Sequence, residues 1–367
     1  MAGLMFSVVF GDVLGETTEE RLVQLEKQVL EMQRPDITTV AMSKVKLGGY
    51  GELHYNNLKG SGGASDKDEI DFHRFVIYMG YEFSDRIRFN SELELEHSLS
   101  GDGKSGEFEL EQAYIDFDIE DNHTLRAGLF LLPVGILNET HEPTTFYGVE
   151  RNSVEKNILP TTWWEAGAGM HGVVAEDLLY SVYIHSGLMT STNSSYAVRN
   201  GRQKVSKANA SDLAATMALR WSVPGLTIGG SIQYQSDITQ GADSDAGDAM
   251  LGEIHTELTK GVFGLRALYS EWQLEGDGPQ SMGSDRQFGW YVEPSLRPLD
   301  FLGIFLRYSE WNNKAGSKGV DGDKTQFDVG VNWWPHEQIV IKADYQWQDN
   351  KNSKEQDGFN LGLGYAF

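Results

Sequence analysis

Residues 338–367 read QIVIKADYQWQDNKNSKEQDGFNLGLGYAF, and the fold turns on how they alternate. Ile339, Ile341, Ala343, Tyr345 and Trp347 fall on one side of a period-two pattern, with Lys342, Asp344, Gln346 and Gln348 on the other. After a polar break the alternation resumes. Phe359, Leu361, Leu363, Tyr365 and Phe367 share a face opposed by Asn360, Gly362, Gly364 and Ala366. Successive side chains of a β-strand point to opposite faces, so each run describes a strand with one apolar and one polar or small face. Such a face meets either a protein core or lipid, and the rest of the chain distinguishes the two.

Outward from this hairpin the same period extends back to Lys46. Sixteen segments follow from it: 46–57, 70–82, 86–97, 107–119, 123–130, 163–174, 178–187, 210–221, 225–237, 248–259, 262–274, 286–296, 301–312, 323–334, 338–348 and 357–367. The connections alternate between two or a few residues, as at 84–85 and 260–261, and long polar stretches, as at 58–69 and 188–209. Strict alternation of tight turns and long loops is the mark of an up-and-down barrel in a membrane. A soluble propeller or sandwich has no reason to keep that asymmetry. Aromatic residues gather at segment ends. Trp221, Trp333, Trp334, Tyr81, Phe83 and Phe367 fall at the tight-turn end; Tyr55, Trp163, Trp164, Trp311 and Trp347 fall at the loop end. Two such girdles are expected at the two interfaces of a bilayer. The expected fold is all-β: a sixteen-stranded antiparallel transmembrane barrel over 46–367, preceded by a short α-helical coiled coil.

Composition agrees. The 367 residues carry a formal charge of −24, and mean hydropathy is −0.39. No run of about twenty apolar residues occurs, so a spanning helix is excluded while a barrel is not. An acidic surface makes nucleic acid an improbable partner, since phosphate recognition needs basic charge. With no cysteine there is no disulfide framework or thiolate metal site.

Residues 1–15 (MAGLMFSVVFGDVLG) have the apolar character of a clipped secretory signal. Within 16–34, Thr17 and Thr18 can cap a helix whose Leu22, Leu25, Val29 and Met32 form an a/d seam of about two heptads. So short a helix is marginal alone, so the seam is expected to pair with copies from other subunits on the periplasmic side. Pro35 stops it, and 35–45 is a linker.

Between the fifth and sixth segments lies the longest irregular stretch, 131–162. A loop of this length in an otherwise regular fold is usually functional. It carries Glu139, Glu142, Glu150 and Glu155 with Arg151 and Lys156. Arg74, Arg88 and Arg126 fall on the inner face of the second, third and fifth strands. Folded inward, the acidic loop would face these arginines and set up a transverse field across the pore. The alternative is that the arginines neutralise wall carboxylates such as Glu92 and Glu94. The nine histidines show no HExxH or comparable ligand spacing, and no G-x-S-x-G elbow occurs. No cofactor, metal or catalytic residue is therefore expected.

The chain resembles Gram-negative outer-membrane porins, and more closely the phosphate-selective porin O and P family. The resemblance is carried by 47–55 (LGGYGELHY), 71–78 (DFHRFVIY), 90–97 (NSELELEH), 111–117 (EQAYIDF), 126–135 (RAGLFLLPVG) and 141–152 (HEPTTFYGVERN). The coiled-coil-plus-barrel layout is also similar to dicarboxylate-uptake porins. The resemblance implies a homotrimer in the outer membrane, in contact with lipid and lipopolysaccharide. It also implies a third loop that narrows the pore, and a Phe367 read by the barrel-assembly machinery. Phosphate-specific members carry a wall of arginines and a lysine cluster; the acidic loop here departs from that pattern. The expected function is passive diffusion of small hydrophilic solutes and ions. The alternatives are a channel specific for phosphate or a small dicarboxylate, or, in another class, a barrel enzyme or adhesin.

Overall fold

The computed structural model describes residues 44–318, 322–351 and 354–367. The expected signal, coiled coil (with Leu22, Leu25, Val29 and Met32) and most of the linker lie outside them. Sixteen antiparallel strands form one closed barrel, each bonded to its neighbours in sequence, with the first closing on the last. They are β1 (Val45–Ser61), β2 (Lys67–Ser84), β3 (Ile87–Glu96), β4 (Phe108–Glu120), β5 (His123–Leu131), β6 (Trp164–Ala175), β7 (Leu178–His185) and β8 (Ala214–Val223). The second half comprises β9 (Leu226–Gln235), β10 (Ala249–Lys260), β11 (Phe263–Leu274), β12 (Arg286–Leu299), β13 (Leu302–Asn312), β14 (Lys324–His336), β15 (Ile339–Asn350) and β16 (Glu355–Ala366).

The closing seam runs from Tyr50 opposite Ala366 to Ser61 opposite Glu355. That pairing carries β1 four residues past the expected end at 57. β8 begins later than expected, at Ala214. Upstream of it Asn209 bonds to Gln203 and Gln240 rather than to a neighbouring strand, so the segment is held as loop.

Alternation sorts each strand into two faces. On β15, Ile341, Tyr345 and Trp347 are exposed while Lys342, Asp344 and Gln346 are buried; on β16, Phe359, Leu361 and Leu363 are exposed while Asn360 is buried. An apolar outer face and a polar inner face suit lipid outside and water inside. Outward aromatics include Trp221, Phe83, Trp333, Trp347 and Phe367, as the girdle pattern requires. Trp163, Trp164, Trp311 and Trp334 do not join them, because all four are buried. Trp334 is the inward neighbour of outward Trp333, and adjacent strand residues cannot both face lipid.

Trp163 and Trp311 belong instead to an apolar cluster built on the inner face. Loop residues Leu132, Val134, Ile136, Leu137, Val154, Ile158 and Leu159 pack there with Leu188, Tyr196, Val198 and Ile238 from later loops. Inward-facing Leu251, Leu268, Trp272 and Tyr291 of β10–β12 complete it. The inner face is therefore not uniformly polar. Apolar inward residues concentrate on β10–β13, where they bury the loops' apolar side chains.

Candidate functional site

Two connections carry most of the site: 132–163 between β5 and β6, with a short helix α1 (Ser153–Asn157), and 186–213 between β7 and β8. The first is tied to the buried face around much of the barrel. Its carbonyls accept hydrogen bonds from wall side chains: His141 O from Arg74 (2.6 Å), Thr145 O from Arg266 (3.0 Å), Phe146 O from Asn332 (3.2 Å) and Gly148 O from Lys342 (2.8 Å). Val149 N–H donates to Asp344 at 2.6 Å. Irregular backbone carries unpaired polar groups, and these polar and charged wall residues satisfy them. Glycines let it lie close. A Cβ at Gly364 would sit 2.4 Å from Pro143 Cβ, and one at Gly289 would sit 2.9 Å from Val154 Cγ1. Helix α1 is capped by Asn152, whose side chain accepts from Glu155 N–H at 2.8 Å.

The three wall arginines do not meet the loop's glutamates. Arg74 pairs with Glu52, donates to Tyr50 OH at 2.9 Å and reaches the loop only through the His141 carbonyl. Arg88 holds Asp118 with its Nη2 at 2.6 Å from Oδ1, and Arg126 holds Asp116 at 2.8 Å while covering the Tyr114 ring. Cross-strand pairing along the wall thus accounts for Arg88 and Arg126, because Asp116 and Arg126 are directly opposed in register.

The glutamates are likewise engaged elsewhere. Glu139 pairs with Arg220 (2.9 Å), Glu142 accepts from Tyr78 OH (3.3 Å), and Glu150 lies 3.4 Å from His54 and 3.9 Å from Lys156. Burial works against the Glu150 carboxylate, but His54 and Lys156 overcome it and hold its pKa well below the usual range. Glu155 is fully buried. It accepts from the N–H groups of Ile136 and Leu137 and from Tyr291 OH, and burial pushes its pKa up.

Charge of opposite sign confronts itself across one cavity, with the arrangement reversed from expectation. The loops contribute Arg151, Lys156 and Glu150 from the first and Arg199, Arg202 and Lys204 from the second; the wall contributes Glu94 and Glu96 of β3 and Glu109 and Glu111 of β4, with Arg74 of β2 and Glu52 of β1. Arg151 donates to Thr162 Oγ1 (2.7 Å), Arg199 to Thr161 O (2.9 Å) and Arg202 to Thr162 O. Among the described residues none of these three guanidiniums has a carboxylate within ion-pair distance. Burial lowers the pKa of all three, aided by neighbouring positive charge: Arg74 for Arg151, Arg202 and Arg151 for Arg199, and Arg151 for Arg202. A buried guanidinium stays charged at neutral pH. Three of them without an ion-paired carboxylate leave unneutralised positive charge on the cavity lining. Lys204 spans the gap, bonding Glu107 and Glu109.

Arg151 and Lys156 were legible beforehand; Arg199, Arg202 and Lys204 were not singled out. The available signal was a run of basic residues, RNGRQKVSK at 199–207, within the second-longest loop of an acidic chain. The fold also gathers two groups of potential metal ligands that spacing could not show, because each combines residues distant in sequence. One is Asp71, His73 and His97; the other is Glu92, Glu111 and His141.

Residues 45–367 match the model of the family described as phosphate-selective porin O and P. An uncharacterized protein of Aquifex aeolicus (strain VF5) is 32% identical over 363 residues, covering 88% of this chain and 80% of its own length. Among solved structures, the outer membrane channel DcaP of Acinetobacter baumannii superposes with a TM-score of 0.61 at 13% identity, covering 88% of this chain and 97% of that one. Salmonella typhi OmpF, in complex with daunomycin, gives 0.60 at 12% identity over 88% and 97% of the two chains. The trimer form of OmpT from Vibrio cholerae gives 0.56 at 10% identity over 88% and 99%. These structural likenesses speak to the fold: an outer-membrane sixteen-stranded porin barrel.

Proposed function

Since the chain belongs to the phosphate-selective porin O and P family and is an outer-membrane channel, we propose that it conducts small hydrophilic solutes passively through a pore narrowed by the 132–163 loop, with preference for small anions. The observation that carries this is the trio Arg151, Arg199 and Arg202, unpaired and facing Glu94, Glu96, Glu109 and Glu111 across one cavity. Fixed charges of opposite sign across a narrow aqueous gap orient a dipolar solute and attract a charged one. The loop's hydrogen bonds to wall residues of β2, β11, β14 and β15 support its placement inside the barrel.

Within this reading the favoured solutes carry carboxylate or phosphate, because a planar guanidinium binds either in a bidentate manner. The unpaired trio favours an anion-specific channel over a general one, and so supports the phosphate or dicarboxylate alternative. A homotrimer is proposed on the pattern of OmpT, whose trimer form is among the structural neighbours, with the 16–34 helix as a periplasmic tie.

The test is single-channel recording in a planar bilayer with asymmetric KCl, repeated with phosphate and with succinate. Anion-selective reversal potentials and block by one of the two anions are expected. Cation selectivity unaffected by either anion would overturn the proposal.

A further inference from the structure

Where the first loop meets β3 and β4, three ligand-type atoms converge at separations within ion-pair range but longer than a good hydrogen bond. His141 Nε2 lies 3.4 Å from Glu92 Oε1 and 3.5 Å from Glu111 Oε2. All three residues are at least 98% buried. Neither His141 Nε2 nor Glu111 Oε2 has a hydrogen-bond partner. Ordinary N–H···O hydrogen bonds run about 2.7–3.2 Å, so these separations are too long for good ones. They match instead the edge of a tetrahedron around an ion with bonds of about 2.0–2.1 Å, whose ligand atoms stand roughly 3.3–3.4 Å apart.

Surrounding contacts hold the donors in place. His141 Nδ1 lies 3.1 Å from the Asn138 carbonyl, so its N–H is directed there and the Nε2 lone pair is left facing the carboxylates. A ligating histidine characteristically gives its second ring N–H to such an acceptor. Glu92 is fixed through its other oxygen, which accepts from Gln112 Nε2 at 2.6 Å. Local charge adds a reason for a cation. Glu52, Glu92, Glu94 and Glu111 are all buried, and Arg74 pairs with Glu52 and stands 3.9 Å from Glu94. Buried carboxylates left without a counter-charge are costly.

We propose that Glu92, Glu111 and His141 bind a divalent transition-metal ion of the Zn²⁺ class, which fastens the 132–163 loop to the β3–β4 wall. One imidazole with two carboxylates suits zinc in preference to Ca²⁺ or Mg²⁺, which take oxygen ligands throughout. The two glutamates come from neighbouring wall strands and the histidine from the loop, so the ion would cross-link two parts of the chain distant in sequence. The inference stands on the loop's contact with the wall, not on the loop's role in conduction.

The test uses full-length protein in detergent, stripped with a chelator and titrated with Zn²⁺ by calorimetry and with Co²⁺ by its visible absorption. Wild type is expected to bind one ion per chain with a tetrahedral Co²⁺ spectrum. H141Q and E111Q should each weaken binding by more than about tenfold, while H97Q, which disables the Asp71–His73–His97 group, should not. Heat-modifiable migration confirms that each variant folds. Binding that survives in H141Q and E111Q, or that is lost only in H97Q, overturns the proposal, as does wild type that binds no ion. Conductance is recorded on the same samples with and without Zn²⁺. A current indifferent to an ion that does bind at His141 would count against the pore-narrowing role of the loop and leave the metal site intact.

Discussion

Arg199 and Arg202 donate to the backbone oxygens of Thr161 and Thr162, and Arg151 to the Thr162 hydroxyl, so all three guanidiniums hold their positions without neutralising their charge. Replacing the three by Ser is expected to move the reversal potential toward cation preference. In a partly aqueous gap a unit charge is worth about 1–4 kcal/mol at close range. A change of about 1.4 kcal/mol alters ion partitioning roughly tenfold. Replacing Glu94, Glu96 and Glu109 by Gln should move the potential the opposite way, a contrast that general damage to the barrel would not produce. Permeability ratios unchanged in both would place the charges outside the current path. A pH series bears on Glu150. Its folded pKa is depressed below the ordinary value of about 4.3, so its contribution is fully present above that value and is lost as pH falls through the lowered one. The Glu150 contact with His54 and Lys156 should therefore leave conductance flat from neutral pH down to about 4.5, and E150Q should add no step in that window. A wild-type step there that E150Q abolishes would show the carboxylate titrating where it should not.

At the scale of elements, the first loop is held by shape as much as by charge. Gly364 and Gly289 leave room for Pro143 and Val154, and Ile158 is wholly buried in the apolar cluster with Trp272 Nε1 donating to its carbonyl at 3.0 Å. Gly364→Val should push Pro143 off the wall and appear as larger and noisier single-channel currents with normal barrel levels. Ile158→Ala should loosen the same loop, since emptying such a site costs about 2–5 kcal/mol of packing. Currents identical to wild type in both would mean the loop does not border the pore. The strands themselves were legible because a two-residue period survives any tertiary context: the alternation at 339–348 and 357–367 reappears as exposed and buried faces of β15 and β16. The loops were not. Nothing in local spacing tells whether Trp311 faces lipid or a packed loop, since both need an apolar side chain. Nor does spacing reveal that Arg88 finds Asp118 before any loop glutamate, because that pairing is set by register and rotamer across neighbouring strands. The arginines at 199 and 202 were visible as residues, but their convergence with Arg151 depends on how two long loops pack together.

The whole molecule closes where Phe367 meets Gly49, through N–H···O bonds of 2.9 and 3.0 Å in both directions, with its ring stacked on Phe75 at 6.1 Å between centroids. Phe367→Ser removes the ring from this seam and should reduce the heat-modifiable barrel recovered from membranes; unaltered recovery would show that the seam closes without it. Assembly can be tested independently of the barrel. Ser at Leu22, Leu25 and Val29 leaves every strand intact, and oligomers are expected to dissociate at a lower temperature; unchanged melting would remove the 16–34 segment from assembly. The apolar cluster has a consequence of another kind. It packs loop side chains against the inner faces of β10–β13, while the opposed charges line a cavity bordered by β1–β4. On the route proposed above, a solute would pass beside a close-packed apolar mass and not down the centre of a round tube. Such an opening sieves by thickness before girth. Flat or slender molecules should pass where compact ones of the same mass are turned back, and sugars ranked by molecular weight should fall out of order in a liposome-swelling series.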